Sequence, residues 1–138
     1  MNYVVDTSVV LQWYNQTGEF HPKEARRVLD DFRTGNIQIT IPDILPLELM
    51  NALIAGKGVA SEEASNIMND LFKMPVKIIE VSLPVLEASS KLMEKYNLAS
   101  YDAYFLALAQ YEGCKLISDD QKAHGKIVDG SVLMLEDY

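Results

Sequence analysis

The sequence predicts an α/β fold: a three-layer sandwich in which helices flank a central parallel sheet of four to five strands. Three observations predict it. Short β-branched runs alternate with longer segments of helical spacing from end to end. That alternation is the pattern of a parallel sheet with helical crossovers. The chain is 138 residues long and 49% hydrophobic, which suits one compact domain over residues 1–138 with a sizeable core.

The elements follow in order. Asn2 to Val5 reads as a short buried strand ending at Asp6. Thr7 or Ser8 can cap a first helix, Val9 to about Asn15. Pro22 suits a helix's first turn, and Lys23 to Thr34 places Ala25, Val28, Leu29 and Phe32 on one face before Gly35 ends it. Ile37 to Ile41 is a β-branched strand. A third helix spans Leu45 to Ala55, closed by Gly56 and Gly58. A fourth begins at Ser61 with a stripe of Ala64, Ile67, Met68, Leu71 and Phe72. Val76 to Val81 is a third strand and Pro84 to Tyr96 a fifth helix. Ser100 to Tyr111 is a sixth helix, apolar nearly all round and therefore expected to be buried. Lys115 to Ile117 is a fourth strand, a short helical turn follows Asp120, and Ser131 to Leu135 is a candidate fifth strand.

Bulk chemistry narrows the function classes. The single cysteine, Cys114, excludes an internal disulfide and reads as a small core residue. The two histidines, His21 and His124, are far apart and lack ligand spacing, so no zinc pattern exists. The start of the chain has no basic leader, Asp6 interrupts its apolar run, and no stretch is long enough to span a bilayer. A cytoplasmic protein is expected. The net charge of −8 argues against broad, non-specific affinity for nucleic acid. It leaves room for a nuclease, because acids gathered at a metal site inflate the negative count.

In parallel α/β folds, ligands gather at the C-terminal ends of the strands near the point where strand order reverses. Asp6 follows the first strand, and Asp119 and Asp120 follow the fourth. Asp102 lies in the first turn of the apolar sixth helix. Glu48 sits in the apolar run Ile44 to Ile54 with no Lys or Arg of its own helix in reach. Asn51, three residues on, shares its face. Singly, Asp6, Asp102 and Asp119 or Asp120 could each serve as a helix-terminal residue. Jointly they point elsewhere. Carboxylates about 4 Å apart repel by roughly 4 kcal/mol per pair at an effective dielectric near 20, so their convergence calls for a cation. An all-oxygen donor set selects Mg²⁺ or Mn²⁺ over Zn²⁺. The chemistry such a site supports is phosphodiester hydrolysis.

At these motifs the sequence resembles the PIN-domain ribonucleases, especially the VapC toxins of VapBC toxin–antitoxin pairs. Val5-Asp6-Thr7-Ser8 is similar to that family's opening strand with its first acid and a following hydroxyl residue. Glu48-Leu49-Met50-Asn51 is similar to its helical Glu with a trailing Asn, and Tyr101-Asp102-Ala103 to its third acidic motif. Leu116 to Asp120 is similar to the final strand ending in Thr or Ser, any residue, then Asp. That register makes Asp120 the fourth acid and Asp119 an extra one, and the duplication leaves the choice open. The resemblance implies a parallel sheet, a homodimer, Mg²⁺ or Mn²⁺, cleavage of RNA, and a cognate antitoxin that blocks the site. In the mechanism it implies, Asp6, Asp102, Asp120 or Asp119 hold the metal, and Glu48 binds metal or orients the attacking water. Ser8, Asn51 and Ser118 hydrogen-bond the carboxylates. Lys122 is the nearest candidate for a substrate contact, with Lys126 beyond it; Lys23, Arg26 and Arg27 read as solvated charge. Trp13, Tyr14, Tyr101 and Tyr104 read as packing residues before base-stacking ones.

Two other readings compete. A response-regulator or phosphatase-like domain also places acids after strands, but Glu48 in mid-helix does not suit one. A PIN-like module that only binds a partner or RNA would not need the complete set of acids.

Overall fold

The structure is a computed structural model that describes residues 1–138. Five strands form one sheet: β1 (Asn2–Val5), β2 (Gln38–Pro42), β3 (Lys77–Ile79), β4 (Lys115–Ser118) and β5 (Val132–Met134). Their order is β3-β2-β1-β4-β5, and every neighbouring pair is parallel. The candidate fifth strand is therefore present, at the β4 edge. The register sets Tyr3 beside Lys115 and Val5 beside Ile117, so β1 and β4 end level with each other.

Seven α-helices cover the sheet: α1 (Thr7–Tyr14), α2 (Pro22–Arg33), α3 (Leu45–Asn51), α4 (Ser61–Lys73), α5 (Leu83–Tyr96), α6 (Ser100–Tyr111) and α7 (Gln121–His124). The chain moves outward from β1 to β2 to β3, then returns across β1 to β4. Right-handed crossovers in opposite directions put α1–α4 on one face and α5–α6 on the other. The contacts agree, since α1 packs on α2 and α3 while α6 packs on α5, β1, β2 and β4. Strand order reverses between β1 and β4, so the crevice of the switch point opens where Asp6 and Ser118-Asp119-Asp120 leave the sheet.

The core is laid down by the expected faces. Val4 and Val5 are wholly buried, as are Leu116 and Ile117 beside them. The α2 stripe of Ala25, Val28, Leu29 and Phe32 is buried. So is the run Ala103 to Ala109 of α6, which is enclosed on all sides as its composition requires.

Beyond one-residue shifts at the ends of several elements, three boundaries differ from expectation. The cap of α1 is Asp6, not Thr7 or Ser8: its Oδ1 accepts the Thr7 N–H at 2.8 Å. The third helix is not uniform. After Asn51 it continues as a π-helical stretch, Ala52–Gly56, in which the Lys57 N–H reaches back five residues to the Ala52 carbonyl. Finally, β3 is shorter than the apolar run Val76–Val81. It is an edge strand, and the Val81 N–H is taken by the Asp43 side chain at 3.2 Å rather than by a ladder partner.

Candidate active site

The site is built at the ends of β1 and β4. The Asp6 N–H donates to the Ile117 carbonyl at 2.9 Å, continuing the ladder and bringing Asp6 beside the last residues of β4. Its side chain is buried, with 5% of the residue exposed. Oδ1 accepts the Thr7 N–H, while Oδ2 accepts the Ser8 hydroxyl at 2.9 Å and the Ser118 hydroxyl at 3.0 Å. Ser8 also accepts the Asp119 N–H at 3.0 Å, and Ser118 accepts the Asp120 N–H at 3.1 Å. Two serines therefore tie the first acidic motif to the last.

Glu48 enters from α3. Thr7 Oγ1 donates to Glu48 Oε1 at 3.3 Å, so one residue of α1 touches both Asp6 and Glu48. Asn51 does not hydrogen-bond Glu48; it is exposed and lines the same groove, one turn farther along. Asp102 enters from the first turn of α6, on the opposite face of the sheet.

The electrostatics show that these acids face one another. Burial, followed by the charges of Asp6 and Asp102, pushes the Glu48 carboxyl up to about 7 against the pull of its Thr7 hydrogen bond. Burial also raises Asp102, with the charges of Asp6 and Asp120 adding to the push and His124 and Lys126 opposing it. Asp6 is raised by burial, opposed first by His124 and then by its three hydrogen bonds. Like charges held together in a dry setting disfavour ionisation, and no Lys or Arg forms an ion pair with any of them.

The two neighbouring aspartates separate. Asp120 caps α7 through Oδ1, which accepts the Ala123 N–H at 3.0 Å, and its charge bears on Asp102. Asp119 turns the other way. Its Oδ2 accepts Gln12 Nε2 at 2.6 Å and its Oδ1 pairs with His21 Nδ1 at 2.7 Å. The structure thus brings together Asp6, Glu48, Asp102 and Asp120, with Ser8 and Ser118 between them, and leaves Asp119 tethered at the side.

Both histidines, which carry no ligand spacing in the sequence, border this site. His124 is wholly buried, with Nδ1 2.7 Å from Ser118 Oγ and Nε2 3.0 Å from the Asp102 carbonyl oxygen. No local pattern announces either contact. The buried apolar residues Ala123 and Ile127 on either side of His124 are the one available signal. Among the bases, Lys122 is exposed without an ion-pair partner, whereas the charge of Lys126 reaches Asp102. Trp13 donates to the Ala25 carbonyl and Tyr104 accepts the Ser82 N–H, so both are packing residues; Tyr101 is exposed at the groove's rim.

The donor set fits a hard divalent cation held partly through water. All four acids offer oxygen alone, and the repulsion that raises Glu48 and Asp102 is what a bound cation relieves. The side chains do not form a closed cage, since no three Asp, Glu, His or Cys groups stand in ligating arrangement. Mg²⁺ and Mn²⁺ sites that retain several waters do not need one. Beside Glu48 an apolar groove of about 800 Å³ runs along α3 past Ile44, Leu47, Met50 and Tyr101.

Comparison with known proteins places the fold. No curated protein sequence matches the chain. Three solved structures share the fold over nearly the whole chain. A toxin–antitoxin complex from Klebsiella pneumoniae matches at 23% identity and a TM-score of 0.70, covering 96% of this chain and 97% of that one. VapBC2 from Rickettsia felis, bound to a DNA fragment from its promoter, matches at 19% and 0.72, covering 97% and 98%. VapC20 from Mycobacterium tuberculosis, a toxin that cleaves the sarcin–ricin loop, matches at 15% and 0.69, covering 89% and 93%. A family model of the PIN domain matches residues 3–127, and the chain belongs to the PIN-domain family.

Proposed function

We propose that the protein is an endoribonuclease dependent on Mg²⁺ or Mn²⁺, and that it is the toxin of a toxin–antitoxin pair. One observation carries the reading. Four carboxylates from four separate segments meet at the switch-point edge of a parallel sheet, like charge adds to burial in raising Glu48 and Asp102, and no Lys or Arg forms an ion pair with any of the four. The resemblance to toxins supports the biological role.

Asp6, Asp102 and Asp120 would hold the cation, directly or through water. When bound, the cation supplies charge to the scissile phosphate and acidifies a water molecule. The chain's own part is to orient and to move a proton. Glu48, half-buried beside the other acids and held by the Thr7 hydroxyl, would take the proton of the attacking water. Ser8 and Ser118 fix the Asp6 carboxylate from both sides. Lys126 and Lys122 lie on the α7 side to meet substrate phosphate. The apolar groove beside Glu48 offers a cognate antitoxin a seat from which to block the site, and the active form is a homodimer.

Incubating the purified protein with total RNA in Mn²⁺ or in EDTA, and mapping the cuts, tests the reading. Cuts at defined positions in Mn²⁺ alone are expected. Intact RNA in both would overturn it in favour of a PIN domain that only binds.

A further inference from the structure

His124 is a wholly buried titratable group that the proposed chemistry does not use. It sits on the four-residue α7 with no exposed surface. Packing alone at such a place is served by an aliphatic side chain, and burying an imidazole is costly unless both nitrogens find partners. Here both do. The Asp102 carbonyl can only accept, so the Nε2 that meets it at 3.0 Å carries a hydrogen. Nδ1 meets Ser118 Oγ at 2.7 Å, and that hydroxyl lies 3.0 Å from Asp6 Oδ2 and accepts the Asp120 N–H at 3.1 Å; its single hydrogen serves Asp6 when Nδ1 carries its own hydrogen and Nδ1 when it does not. Nδ1 itself lies 3.8 Å from Asp6 Oδ2. One ring therefore touches the segments of three of the four acids, directly or through a single hydroxyl.

We propose that His124 is a positioning residue for the carboxylate centre. Through Ser118 it fixes the rotamer of Asp6. Through the Asp102 carbonyl it ties the first turn of α6, on one face of the sheet, to the end of β4. The acids repel one another, so without a brace each would turn outward before a cation arrives. The inference rests on the metal-nuclease reading and adds to it a residue that touches neither cation nor RNA.

Partners that orient metal ligands are worth about 10- to 100-fold in metal affinity or activity, which sets the scale of the test. The parent, His124→Ala, His124→Asn, His124→Gln, Ser118→Ala and the double variant Ser118→Ala/His124→Ala are titrated with Mn²⁺. Free Mn²⁺ is read by its EPR signal, and metal-free melting, kcat and KM for RNA are measured alongside. His124→Ala should weaken Mn²⁺ binding about 10-fold or more and lower kcat while KM stays near the parent's. Asn sets its amide nitrogen near the Nδ1 position and keeps the Ser118 arm, so it should recover most of the Mn²⁺ affinity. Gln reaches toward the Nε2 position, keeps only the Asp102 arm and should recover less. The double variant should bind Mn²⁺ more weakly than Ser118→Ala only by the smaller loss of the Asp102 arm, and by less than the two single losses combined, because on the Ser118 arm the two residues act in series.

A parent that binds Mn²⁺ and a His124→Ala that binds it equally well overturn this inference alone. So does a set in which Ala, Asn and Gln lose Mn²⁺ affinity only in proportion to metal-free melting, which marks a packing role. If His124→Ala does not fold, the ranking of Asn above Gln decides. A parent that neither binds Mn²⁺ nor cuts RNA overturns the metal-nuclease reading, and this inference with it.

Discussion

Asp119 and Asp120 are adjacent in sequence and opposite in circumstance. Asp119 faces the side of the sheet, where Gln12 and His21 take its two oxygens at 2.6 and 2.7 Å. Asp120 faces the crevice, where one oxygen caps α7 and its charge falls on Asp102. On the first side every negative oxygen has a donor, and the contact holds the loop before α2 against β4. On the second, four acids are left with more charge than the protein neutralises. The difference teaches where to look for stability and where for chemistry: matched charge braces the fold, and unmatched charge waits for a ligand.

The largest expected effect lies on the unmatched side. Asp6→Asn and Asp102→Asn should each lower RNA cleavage in Mn²⁺ by roughly 10³-fold or more, since charge stabilisation by a held metal is worth several kcal/mol and each 1.36 kcal/mol is tenfold in rate. Metal-free melting of Asp102→Asn should be unchanged or slightly higher, because an amide keeps the shape and removes repulsion, whereas Asp6→Asn should melt lower, since both of its oxygens accept hydrogen bonds. A cleavage gel with paired melting curves checks both. An Asp102→Asn variant that cleaves like the parent would break the comparison at its centre.

The next effect sets the two neighbours directly against each other. Asp120→Asn should lower cleavage by about 100-fold or more at little cost in stability. Asp119→Asn should leave cleavage within a few-fold of the parent and lower stability by about 1–2 kcal/mol, as charged hydrogen bonds in a largely buried place are lost. Reversal of this pattern in denaturant titrations and cleavage rates would make Asp119 the fourth acid.

A smaller effect should appear in the pH dependence of the metal-free protein. The Glu48 carboxyl is raised from 4.5 in the unfolded chain to about 7 in the fold. Between those values the folded state holds more protons than the unfolded one, so stability falls as pH rises. The contribution is full below pH 4.5 and is lost as pH climbs through about 7. Melting at pH 5 through 8 should show this decline, and Glu48→Gln should flatten it. Added Mn²⁺ should stabilise more at pH 8 than at pH 5. A parent and a Glu48→Gln variant with parallel profiles would mean that Glu48 does not face the other acids.

The smallest effect separates two surface lysines. Lys126, whose charge reaches Asp102, should matter more than Lys122. Lys126→Ala should raise KM for RNA a few-fold and reduce the salt dependence of binding by about one phosphate contact, with kcat little changed. Equal, negligible effects of the two alanine variants would make both lysines solvated charge.

Much of this architecture is legible in the chain. The β-branched runs, the apolar stripe of α2 and the all-apolar α6 specify their own burial. Asp6, Asp102 and Asp120 could be placed at strand and helix ends because those ends are marked by local changes of period. What misleads is also local. Thr7 and Ser8 read as caps because hydroxyls cap helices, but Asp6 does that and both hydroxyls go to carboxylates. Asn51 reads as the partner of Glu48 because helix neighbours share a face, but the contact comes from Thr7, 41 residues away.

By itself the sequence determined the class of fold, the order of its elements and the chemical nature of its candidate centre, because periodicity, turn residues and donor type are properties of short stretches. Only the tertiary structure decided which side each acid faces and what holds it there. His21 meets Asp119 across 98 residues, Ser118 meets Asp6 across 112, and His124 meets the Asp102 carbonyl across 22. A hydrogen bond is specified by the positions of two groups in space. Sequence spacing encodes those positions only within one helix or strand, and beyond that the packing of α1, α6 and α7 around the ends of β1 and β4 sets them.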